Sequence, residues 1–147
     1  MPVKINPGGL NPQSGKTQAT KSGKSDPAQF TSNLKNARTA MFDGDMKELL
    51  KVVKDRGESF LRSPDENLLT SYKESVKMFL TKLKKEFLSL REEFGARQDG
   101  EQKVYQLVET VSSEAEALTR QALNENKALE LLSGLDDIRG LVIDIIG

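Results

Sequence analysis

SPDENLLTSYKESVKMFLTKLKKEFLSLREEF, running from Ser63 to Phe94, is the stretch that decides the fold. It is the longest uninterrupted amphipathic pattern in the chain. At 100° per residue, Leu68, Leu69, Tyr72, Val76, Phe79, Leu80, Leu83, Phe87, Leu90 and Phe94 fall on one arc of roughly 120°, the signature of a helix with one buried face. Ser63 can cap the free backbone N–H groups, Pro64 suits the first helical position, and Glu66 completes a capping box, so the spacing places the start at Ser63-Pro64. Gly95 ends the pattern. Such a helix is roughly 45 Å long at 1.5 Å per residue, and an apolar face of that length needs other helices against it.

Working outward, Gly95 to Gln102 holds two glycines, Gly95 and Gly100, and predicts a turn. Beyond it Val104, Val108, Val111, Ala115, Leu118, Ala122, Glu125, Leu129 and Leu132 alternate steps of four and three, a coiled-coil period. The reading is a helix over 102–132, antiparallel to the one before it because the connection is short. Glu125 occupies a slot where an apolar side chain is expected. It could fix register or pair with a base, or be a seam-edge carboxylate reaching water. After Leu132 the apolar positions Leu135, Ile138, Leu141, Val142, Ile145 and Ile146 turn to another side. Gly134 costs about 1 kcal/mol inside a helix, which is tolerable, so continuation through it is expected, with the apolar end in the core. Docking of a partner is the alternative for that end.

Upstream, Asp26-Pro27 predicts a cap and first helical residue, with Phe30, Leu34, Ala37 and Met41 as the face of a helix over 27–42. Asp43-Gly44-Asp45 predicts a break. Asp45 and Glu48 form a plausible second capping box, and the apolar face shifts by roughly 150° to Met46, Leu50, Val53, Phe60 and Leu61 on a helix over 46–62. The expected architecture is all-α: an antiparallel bundle of four to five helices built on a long helical hairpin, occupying residues 27–147.

Residues 1–26 read as a disordered basic tail, rich in Gly, Pro, Ser, Asn and Lys with almost nothing apolar. Gly9-Leu-Asn-Pro-Gln-Ser-Gly15-Lys16-Thr17 has the look of a phosphate-binding loop. It has five residues where the motif needs four, and no strand before it, so chance is the better account. A targeting segment recognised by other machinery is a further, weaker reading of the tail.

Composition narrows the chemistry. The 147 residues contain no histidine, cysteine or tryptophan. The commonest general base and metal ligand is therefore missing, as is any thiolate. Adjacent acids such as Glu92-Glu93 and Asp136-Asp137 diverge by about 100° on a helix rather than converging. A non-enzymatic protein without cofactor or metal is expected. The missing cysteines fit a reducing cytoplasm, and no apolar run has signal-peptide or membrane-spanning length. Of 22 basic and 22 acidic residues, Lys4, Lys16, Lys21 and Lys24 fall in the first 25, which contain no acid; this leaves 18 basic against 22 acidic in the body. A mildly acidic body argues against a dedicated nucleic-acid binder.

Two partner readings follow. Lys73, Lys77, Lys84 and Arg91 form a basic stripe beside the apolar arc of the longest helix. With the tail, it could hold phosphates as a weak, sequence-independent nucleic-acid site. It could equally be a solvated flank, with Glu66, Glu74 and Glu92 diluting its field. The favoured reading is a small cytoplasmic interaction bundle that binds a protein partner or itself by helix packing, with Lys73, Lys77, Lys84, Arg91 and Glu125 as candidate interaction residues.

Finally, Val108-Glu-Thr-Val111, Leu118-Thr119, Leu123-Asn-Glu-Asn-Lys127 and Ile138-Arg-Gly-Leu141 resemble the YaaR-like family, a bacterial domain of unknown function. The resemblance is clearest over 100–147. It implies an all-helical cytoplasmic bundle and carries no active-site residue onto this chain.

Overall fold

The structure is a computed structural model that describes residues 27–146. The tail expectations for 1–26 lie outside those residues. The described residues divide into two units, one ending at Asn36 and one starting at Ala37. The described part of the first is the opening of α1; the second holds the bundle. Four helices are present: α1 (Pro27–Arg62), α2 (Glu66–Phe94), α3 (Gln98–Glu116) and α4 (Glu125–Ile146).

The α2 arc is the core. Leu69, Tyr72, Val76, Phe79, Leu80, Leu83, Phe87 and Leu90 are buried, and Leu68 and Phe94 are half-buried at its ends. Its start lies two residues later than the capping pattern suggests. Asp65 is the N-cap, its side chain accepting from the Leu68 N–H at 2.9 Å. Ser63 instead closes α1, its N–H donating to the carbonyls of Ser59 and Phe60. A carboxylate at the N-cap also meets the positive end of the helix dipole, which favours Asp65 over an upstream hydroxyl. Gly95 ends α2 at φ +83°, a conformation that favours glycine.

The break expected at Asp43-Gly44-Asp45 does not occur; α1 is one helix from Pro27 to Arg62. Phe42 and Met46, one turn apart on either side of Gly44, are both buried. Burying two such side chains contributes about 1.5–3 kcal/mol each, more than the roughly 1 kcal/mol a helical glycine costs. Asp43 and Asp45 are therefore not caps. Asp43 pairs with Lys47 at 3.2 Å and with Arg139 of α4. The face that is buried is Phe42, Met46, Val53, Gly57 and Phe60, whereas Phe30, Leu34 and Met41 are exposed.

The helix expected over 102–132 is two helices. α3 starts at Gln98, so Gly100 belongs to its first turn rather than to the connection. It ends at Glu116, and residues 117–124 reverse the chain. Two side chains hold that reversal. Thr119 Oγ1 accepts from the Ala122 N–H at 3.2 Å, and Asn124 Oδ1 caps α4 by accepting from the Lys127 N–H at 2.8 Å. Leu118 and Leu123 are buried from within the turn. The four-three spacing through Ala122, Glu125 and Leu129 is thus no seam; these three residues are exposed. α4 does run unbroken through Gly134, and its Leu135, Ile138, Val142, Ile145 and Ile146 are core.

Contacts fix the topology of the second unit. Gly57 lies against Tyr72 and Arg38 reaches Glu93, so α1 and α2 are antiparallel. Arg91–Glu101 at 2.6 Å and Lys73 Nζ to the Glu116 carbonyl at 3.0 Å do the same for α2 and α3. Gly100 beside Ile145 and Gly134 beside Val111 make α3 and α4 antiparallel. Asp43–Arg139 closes the ring from α1 to α4. The result is an up-down-up-down bundle in which α2 and α4 also approach across the centre.

Candidate functional site

Helix α2 buries one arc and leaves Met78 on the opposite side, 49% exposed. Methionine there is off the apolar period and has no core role. Beside it, Leu49 of α1 is half-buried. The two form the floor of an open groove of about 860 Å³ along the α1–α2 face. Its α1 edge carries Asp45 and Glu48, and its α2 edge carries Lys77, Lys82 and Lys85, with Glu74 at one end. Lys82 also reaches Glu86 one turn on, at 3.6 Å. An apolar floor between an acidic and a basic edge suits a helix face better than a small polar substrate.

The sequence-derived candidates separate. Lys73 donates to the Glu116 carbonyl and so caps the C-terminus of α3, where a cation also meets the negative end of the dipole. Arg91 pairs with Glu101 across the α2–α3 connection; that hydrogen bond and the carboxylate's charge raise the guanidinium pKa above its ordinary value. Lys84 is exposed and has no ion pair among the described residues. Lys77 is the one member of the stripe that lines the groove. Glu125 is the first residue of α4, exposed, beside a shallow cleft with Glu58, Leu61 and Arg62. The four basic residues thus differ in what they touch, although Lys73 and Lys77 line one cleft between α2 and α3.

Leu49, Met78, Lys82 and Lys85 were not singled out by periodicity. The available signal was Met78 itself, a large apolar residue on the polar side of a strongly amphipathic helix.

The adjacent acids are also dispersed. Glu93 pairs with Arg38, and Asp136 pairs with Arg139 at 3.0 Å. Burial works against the Arg139 charge, but the hydrogen bonds and charges of Asp136 and Asp43 outweigh it, and its pKa is raised. One buried polar group stands out. The Tyr72 hydroxyl has no hydrogen-bond partner among the described residues, and burial pushes its pKa up to about 12. Its ring lies 3.2 Å from where a Cβ on Gly57 would sit, at the base of a cleft of about 100 Å³ between α1 and α4.

A family model described as "Protein of unknown function (DUF327)" matches residues 9–146, nearly the whole chain and including most of the stretch before α1. This is the family to which the YaaR-like resemblance points. No curated protein and no solved structure matches the chain. No helix among the described residues is long and apolar enough to cross a membrane.

Proposed function

The chain belongs to the DUF327 family, all-helical over its described residues, and on that premise we propose that it is a non-enzymatic cytoplasmic protein whose bundle docks another protein. The α1–α2 groove is the docking face. The observation that carries this is Met78, 49% exposed on the outside of the core helix and set beside Leu49 in a groove with charged edges. Methionine is flexible and polarizable, and it serves surfaces that accept a partner's side chains. Exposed apolar floors with polar rims are characteristic of protein contact sites. Two of the four stripe residues, Lys73 and Arg91, already serve contacts within the bundle, which weighs against a phosphate-binding role for the stripe.

The test is crosslinking in cells followed by mass spectrometry, with and without nuclease, on the full chain and on Met78→Asp. Crosslinks from groove residues that survive nuclease and disappear in Met78→Asp support the reading. Crosslinks that vanish with nuclease and are unaffected by Met78→Asp replace it with nucleic-acid binding.

A further inference from the structure

We infer that the α1–α2 groove is occupied by the same groove of a second copy of this chain, related by a two-fold axis running along the bundle. The inference rests on the docking reading above and names its partner.

The groove has a polarity that a second copy satisfies. Its α1 edge is acidic through Asp45 and Glu48, and its α2 edge is basic through Lys82 and Lys85. In an isologous two-fold contact, a patch must be complementary to itself. A two-fold axis parallel to the helices and lying in the groove places α1 of each copy over α2 of the other, at unchanged height. Height is fixed by the pairing within one bundle. Gly57 stands beside Tyr72 and Arg38 beside Glu93, so numbering falls along α2 as it rises along α1. In that register Asp45 is level with Lys85, and Glu48 with Lys82. The axis therefore sets acids against lysines on both sides of the contact, with Leu49 and Met78 of the two copies facing one another between them. An axis perpendicular to the helices would invert the heights and lose this match.

The test is sedimentation velocity over a concentration series on the full chain, at low and at physiological salt. Three proteins are compared: the natural sequence, the double variant Asp45→Lys/Glu48→Lys, and the double variant Lys82→Glu/Lys85→Glu. Circular dichroism melts confirm that both variants remain folded, as expected for substitutions at the surface. The natural chain is expected to dimerise. Each double variant carries two edges of the same sign, and its dimer dissociation constant is expected to rise about tenfold or more, because like charges face one another across the contact. An equimolar mixture of the two variants makes every facing edge opposite in sign. It is expected to form one-to-one dimers with the affinity of the natural chain.

A natural chain that stays monomeric at the highest concentration overturns the inference. So do variants that dimerise as the natural chain does, or a mixture that stays apart. Any of these outcomes leaves the docking reading to its own test, since loss of a different partner's crosslinks in Met78→Asp does not depend on self-association.

Discussion

The α3–α4 seam and the α1–α2 seam are built on opposite terms. At the first, backbones come close enough that a Cβ on Gly100 would lie 2.4 Å from Ile145 Cγ2, and Gly134 sits against Val111. At the second, Gly57 lies against Tyr72, and long side chains also bridge the helices. Arg38 reaches Glu93, and Arg56 donates to the Ser71 carbonyl at 3.0 Å. The difference shows what residue size at a seam does. Small residues let backbones close on their neighbours, while at the α1–α2 seam arginine side chains link the helices, and Leu49 and Met78 stay partly uncovered.

The largest expected effect disrupts the shared core rather than either seam. Leu83 is fully buried on α2, which packs on every other helix, and Leu83→Asp should cost more than about 4 kcal/mol by burying an unpaired charge. Helical circular dichroism and a melting temperature unchanged from the natural chain would refute the core assignment. Gly100→Val acts on the closed seam alone. Overpacking against Ile145 should destabilise by about 2–3 kcal/mol in urea unfolding. An unchanged midpoint would mean that α3 and α4 are not in close contact there.

Tyr72 probes the α1 side. Tyr72→Phe removes a buried hydroxyl with no partner among the described residues, and should stabilise by about 1 kcal/mol at pH 7. The same residue sets an alkaline limit. Its hydroxyl is pushed up to about 12, above the ordinary 10.0, so the folded state holds a proton that the unfolded state releases first. Its ionisation leaves stability unchanged below pH 10 and lowers it as pH rises toward 12, by on the order of 2–3 kcal/mol across that window. Tyr72→Phe should flatten this loss, whereas a parallel loss in both proteins would assign it to other groups. The smallest effect is Gly140→Ala in the middle of α4, where an added Cβ meets nothing within 4 Å. A gain of about 0.5–1 kcal/mol is expected from helix propensity alone, and the contrast with Gly100 separates close packing from propensity.

The legible parts of the fold were those where one local pattern had no competitor. The α2 arc from Leu69 to Leu90 is such a case: its apolar side chains recur at helical spacing over six turns, and each expected core residue is buried. The candidate site was less legible. Of the stripe, Lys77 lines the groove, but Lys73 and Arg91 are occupied by Glu116 and Glu101, partners that no spacing along α2 could reveal.

The sequence alone determined that this protein is all-α, which face α2 buries, and that α2 ends at Gly95, because periodicity and glycine chemistry act within a few residues. Tertiary structure decided the rest. It held α1 straight through Gly44 by burying Phe42 and Met46 on both sides, overriding a capping pattern worth only about 1 kcal/mol. It folded 117–124 back, against a regular four-three repeat, because Leu118 and Leu123 gain burial and Thr119 and Asn124 supply local caps. The groove, too, exists only once α1 and α2 lie side by side, since its two edges are about thirty residues apart in the chain and meet through packing rather than pattern.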